Sequence, residues 1–289
     1  MKNSELKALI NLLDDPDKQV YSLVYESLKK EGNEIIPELE KVWEQTPNEL
    51  IQSRLELIIH DIQFTRTYNE MKQWISQENP NVLDGANIVT RFQYPELNNK
   101  QVDVFIDQLY KEIWIEINHQ LTAFEKIRII NSILFEKHGF SPNVKNIWHP
   151  QNNYTIRVLE TKKGNAVSLS IIYIELARRL GLPIYGVDIP NNIVLCYLDN
   201  PLITSEFENN VLFYIDVISK GIALGKKEID DYLNRMGAEP ELNNYVACSS
   251  KVVIRKQIEN LIYCFELRNQ RLQAKQLNQL LLLFKNSNT

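Results

Sequence analysis

The chain has 289 residues, 44% apolar and 24% charged, with a formal net charge of −5. This is the balance of a soluble globular protein with room for two domains, and a mildly acidic surface without a Lys/Arg run gives no electrostatic reason to bind DNA, RNA or anionic lipid. Three cysteines, at 196, 248 and 264, are an odd number without CxxC spacing, which argues against a disulfide framework or a structural zinc site and for reduced thiols in the cytoplasm.

The N-terminus, MKNSELKALINLLDD, is interrupted by charge and carries no apolar core followed by a cleavage site, so no signal peptide is expected. Residues 1–66 show four apolar stripes at helical spacing: Leu6 to Leu13, Val20 to Leu28, Ile35 to Trp43, and Leu50 to Ile62. The turn Asp14–Asp17 contributes a proline and capping carboxylates, and Gly32 ends the second stripe. Short helices with one apolar face each resemble HEAT-type repeats, which bury those faces by stacking; an ordinary helical bundle has the same pattern. Residues 67–140 continue helical over 68–77, 81–92, 99–120 and 123–137, with breaks at Asn79-Pro80, Tyr94-Pro95 and His138-Gly139.

Residues 141–163 lose periodicity and read as a loop, with the Lys162-Lys163 pair solvated. A helix follows over 166–180, with Asn165 as N-cap, Gly181 as C-cap and Pro183 as stop. The pattern then changes to period two, giving three strands around 184–187, 193–197 and 211–217, with 199–210 as a hairpin loop. From 226 the chain is helical again, over 226–236, 242–267 and 269–285; the last two resemble a tetratricopeptide-like hairpin. The longest apolar run, LLLLF at 280–284, is far short of the roughly 18 residues of a membrane span. The expected class is α+β and mostly helical, in three parts: 1–66 HEAT-like, 67–225 with a small antiparallel sheet, and a C-terminal helical segment over 226–289.

The order in 164–217 is a glycine, an apolar-faced helix, Gly-Leu-Pro, two strands, and a strand ending in Asp. The stretches PQNNYTIRVLETKKGNAVSLSIIYIELARRLGLPIYGVDIPNNIVLCY, VLFYIDV and, upstream, AFEKIRIINSILFEKHGFSPN carry it. This resembles the transglutaminase-like superfamily, a papain-type fold, and within it the bacterial SirB-type branch, over roughly 70–250. The resemblance implies acyl transfer through a thioester. A Cys at a helix N-terminus is activated by the helix dipole and a neighbouring imidazole, and an Asp orients that imidazole. The same resemblance puts the Cys position at Ala166, the His position at Asn192 and the Asp position at Asp216. A methyl group cannot attack a carbonyl, and a carboxamide is no base near neutral pH. The four histidines, at 60, 119, 138 and 149, all precede the helix.

The expectation is therefore a non-catalytic module for a protein or peptide partner, with no cofactor and no metal. A polar cleft is expected at the helix N-terminus, from Asn152, Asn153, Asn165, Ser168 and Asn191. Asn152 and Asn153 serve equally well as braces for the loop. The competing reading is a peptidase or amide-acting transferase with an unusual set, Ser168, His149 and Asp216. Cys196 alternates with Leu195 and Tyr197 and reads as core. No phosphate loop, HExxH or calcium loop occurs in the sequence. The oligomeric state is left open.

Overall fold

The computed structural model describes residues 3–199 and 210–285. The chain divides into two compact units, Met1–Glu70 and Met71–Thr289. In the first, α1 (Asn3–Asn11), α2 (Lys18–Glu31), α3 (Ile36–Gln45) and the start of α4 (Glu49–Ile75) gather one core of Leu6, Leu13, Val24, Leu28, Leu39, Leu55 and Ile58. Asp17 caps α2 by accepting the Gln19 amide at 2.7 Å, and Gly32 ends it. The stripes around 50–62 and 68–77 belong to one continuous helix of 27 residues, because no breaker interrupts the sequence between them.

The second unit begins with α5 (Val82–Arg91), α6 (Asn99–Glu116) and α7 (Ala123–Asn131). Capping boxes at Asn98/Gln101 and Thr122/Glu125 start α6 and α7. After α7 the chain winds through a π-helical turn, Ser132–Lys137, and His138 closes it with Nε2 2.7 Å from Glu112 of α6. The segment expected as a loop contains a parallel two-residue pair, β1 (Ser141–Pro142) with β2 (Lys163–Gly164), and the helix α8 (Thr155–Thr161). Lys162, expected in solvent, is the left-handed cap of α8 with its ammonium over the Phe140 and Phe105 rings. Burial lowers its pKa.

The helix α9 (Ala166–Arg179) is the spine of this unit; its residues from Val167 to Ala177 are buried. Its end is a Schellman motif: Leu182 N–H donates to Ala177 and Gly181 N–H to Arg178, with Gly181 at φ 69°. Buried Glu175 is held by Arg178, Arg179 and Asn81. Burial opposes its charge, but these bonds outweigh it and keep the carboxyl below the ordinary range. The turn at 181–183 sends the chain into a four-stranded antiparallel sheet ordered β3 (Ile184–Ile189), β4 (Asn192–Leu198), β5 (Val211–Asp216) and β6 (Ile222–Leu224). The edge strand β6, three residues long, was absent from the sequence reading. The expected hairpin loop at 199–210 falls, from 200 to 209, outside the described residues.

Pairs such as Val187 with Val194 and Cys196 with Tyr214 point to one face. There they meet Ile229 and Leu233 of α10 (Lys226–Met236). Gly186, Leu195 and Ile215 alternate to the other face, which α9 covers. The chain ends in α11 (Ser250–Glu266) and α12 (Arg271–Lys285), packed on each other, with α11 also against α5. The helix expected from 242 begins only at Ser250, because Cys248 N–H donates to Gly186 O at 2.7 Å in an antiparallel bridge to β3.

Candidate functional site

The N-terminus of α9 is built from short polar side chains. Asn165 Oδ1 accepts the Ser168 amide at 2.9 Å, and Ser168 Oγ accepts the Asn165 amide at 3.0 Å, a reciprocal capping box. Asn165 Nδ2 also donates to Asn153 Oδ1 at 2.7 Å. Asn153 is fully buried; its carbonyl accepts Gln257 Nε2 at 2.6 Å, and its own amide reaches Cys264 Sγ at 3.9 Å. Asn152, also buried, accepts from Asn143 and donates to the carbonyls of Asn146 and Ile147. Asn152 and Asn153 are thus braces that fasten the 143–153 segment to α9 and α11. Ala166 follows this cap as the first residue of α9.

Asn192 opens β4 and Asp216 closes β5. Leu195 lies opposite Ile215, so the two residues fall at the same end of the sheet. Both lie two residues from members of the α10-facing set, Val194, Cys196 and Tyr214, and so share their face. The neighbour they share there is Tyr232 of α10. Its phenol donates to Pro190 O at 3.0 Å. Burial pushes the phenol pKa up; an Asn192 hydrogen bond and Arg235 oppose this, and the Asp216 charge adds to it. The Asp216 carboxylate is spent on its own turn, accepting Ile218 N–H at 2.9 Å and Ser219 O–H at 2.6 Å. Asn191 is exposed at φ 58°, the second residue of the two-residue β3–β4 turn. By strand alternation Asn192 and Asp216 therefore fall on the α10-facing side of the sheet, whereas α9, which begins at Ala166, covers the other side.

The alternative set has separate partners. Ser168 Oγ is buried and held by the cap, donating to Asn165 O at 3.2 Å. His149 caps the short 3-10 turn Pro150–Asn153, its Nδ1 accepting Gln151 N–H at 3.2 Å. Burial, with the nearby Arg268, lowers its pKa. The thiols are not poised as nucleophiles. Burial pushes Cys196 to about 12 and Cys264 to about 11, and raises Cys248 further.

A second feature lies away from this end. Between α7 and the edge strand β6 is a cavity of about 760 Å³, lined by Leu121, Phe124, Ile127, Arg128, Asn131 and Ile222 among others. Sequence reasoning missed both this groove and Tyr232. The spacing Ile229, Tyr232, Leu233 marks an inward helix face, but three residues are too few for a readable strand. Among the described residues there is no group of three metal-ligating side chains and no helix long and apolar enough to cross a membrane.

A buried helix against a small antiparallel sheet is the α+β arrangement expected of a transglutaminase-like domain. Residues 100–259 match the family model described as the Transglutaminase-like superfamily, more than half of the chain, and the chain belongs to that superfamily. A UPF0162 protein of Xylella fastidiosa is 31% identical over 121 residues, 42% of this chain and 43% of that protein. A UPF0162 protein of Vibrio cholerae is 23% identical over 39% of this chain and 42% of its own length. F-box only protein 21 of Homo sapiens is 23% identical over 232 residues, 71% of this chain and 36% of that protein. The chain spans less than half the length of these curated relatives. No solved structure matches it.

Proposed function

We propose that this chain is a transglutaminase-like protein without catalysis that works by holding a protein or peptide partner. One observation carries the reading. A methyl group, Ala166, stands at the helix N-terminus where the family resemblance implies a thiolate. Strand alternation, which puts Asn192 and Asp216 on the α10-facing side of the sheet, away from α9, supports the same reading. Acyl transfer needs nucleophile and base within hydrogen-bond reach, and the high pKa values of the thiols argue in the same direction. In this reading the HEAT-like N-terminal helices and the tetratricopeptide-like pair α11–α12 offer further partner surfaces, and the chain is cytoplasmic.

Two measurements on the full chain test this. A thiol-directed iodoacetamide and a serine-directed fluorophosphonate should leave the native chain without site-specific labelling. Labelling at Ser168 that His149→Ala removes would establish the enzyme reading instead. A panel of short peptides should include binders; a panel without any removes the peptide half of the proposal.

A further inference from the structure

We infer that Lys162 is a site of covalent acylation, its amine the acceptor for an activated acyl group carried by a thioester or an acyl phosphate. This role is independent of partner binding. Lys162 ends α8 at φ 60° and ψ 17°, a left-handed conformation that L side chains seldom adopt. Its backbone is pinned from both sides. Its N–H donates to Val158 O at 2.8 Å, and its carbonyl accepts Ser141 N–H at 3.0 Å. The side chain starts from this fixed point and runs along aromatic rings. Nζ stands 4.6 Å from the centre of the Phe140 ring, which is buried, and 5.5 Å from that of Phe105.

An ammonium ordinarily spends its three N–H donors on water or on acceptors. Here carbon occupies part of that shell, and Nζ makes no hydrogen bond or ion pair among the described residues. The carboxylate on this side, Glu112, is engaged by His138 Nε2 at 2.7 Å and by Lys137 Nζ at 3.1 Å. The rings attract the cation and return part of what the lost hydration costs. The nitrogen is still within reach of solvent: Lys162 is partly exposed, and Nζ is not one of the fully buried polar atoms that lack a partner. Burial lowers the pKa of this amine, with the Glu112 charge opposing from a distance. A lysine desolvated against apolar walls is a nucleophilic lysine.

In the reaction the Nζ lone pair forms a bond to the donor's carbonyl carbon. The bond from that carbon to sulfur, or to the phosphate oxygen, breaks, and its electron pair leaves with the thiolate or phosphate. The proton lost by the amine passes to water. The product is an uncharged amide, which an apolar wall favours over an ammonium, whereas methylation would keep the charge. Each event consumes the site, so no turnover is implied.

The next residue, Lys163, is a control that the chain itself provides. It is exposed, and its Nζ donates to Ser141 Oγ. Cleavage after glutamate releases residues 161–175, a peptide with no lysine besides these two. The test is acylation of the folded full chain by acetyl phosphate and, separately, by the thioester S-acetyl-N-acetylcysteamine, with both lysines quantified in that peptide by mass spectrometry. At about pH 7 Lys162 should react about threefold or more faster than Lys163. The ratio should fall as the pH rises to about 10, because an amine that gives up its proton early loses its lead once its neighbour is neutral too. In concentrated urea the two should react alike. A preference seen with one donor alone identifies the class of donor that the site takes.

A ratio of one or below with both donors at about pH 7 overturns the site. So does a high ratio that stays constant with pH, which would report access alone, or one that persists in urea, which would report the local sequence and not the fold.

Discussion

The two ends of the α9 neighbourhood differ in one respect. At its N-terminus every short polar side chain is committed inward: Asn165 to Ser168 and Asn153, and Asn153 to Gln257 and Cys264. Beside its middle, Tyr173 donates to Asn131, which in turn donates to Gly221 O at the wall of an open groove. Polar groups that satisfy each other hold a fold together, whereas groups left open at a rigid surface are free to recognise something else.

Substitutions on each side separate these roles. Gly221 sits at φ 76°, where an added Cβ would overlap the Asn131 carboxamide. Gly221→Ala is expected to cost about 3 kcal/mol in urea unfolding. A variant as stable as the parent would show that the Asn131–Gly221 contact is dispensable. At the α9 N-terminus, Asn153→Ala removes two buried partners and should cost about 2 kcal/mol. An unchanged unfolding midpoint would show that Asn153 is no brace.

A smaller effect is expected behind the groove, where His138 and Lys137 hold the Glu112 carboxyl at about 2. A depressed folded-state pKa gives stability that is full above the ordinary value of 4.5 and is lost as pH falls toward 2. Glu112→Gln should flatten that part of the stability profile, and identical profiles would refute the coupling. The smallest effect is expected at Phe124. It is half exposed, and Phe124→Ala should cost below about 1 kcal/mol in stability. A cost of about 3 kcal/mol or more would make Phe124 a core residue.

Much of this frame was legible because its signals are local. Asn165 before an apolar run and Gly181-Leu182-Pro183 after it mark both ends of α9 within a few residues. The strands from 184 and 193 announce themselves by alternation. Apart from β6, too short to show a pattern, the failures are long-range. Cys248 leaves the helical pattern because a β3 carbonyl claims its amide from 62 positions away in the chain, a pairing that no window around 248 contains. Lys162 is drawn in by aromatic rings on other elements. The face on which Asn192 and Asp216 fall depends on strand pairing, Ile189 with Asn192 and Leu195 with Ile215. One residue of slip reverses the face, so the sequence alone does not say on which side of the sheet the two residues lie.

The account is tested most directly by amide and ester turnover of the native full chain between pH 5 and 9, alongside Ser168→Ala, His149→Ala and Asp216→Ala. It predicts rates at the buffer background for all four proteins. Turnover by the native chain that any one of the three substitutions abolishes would contradict it.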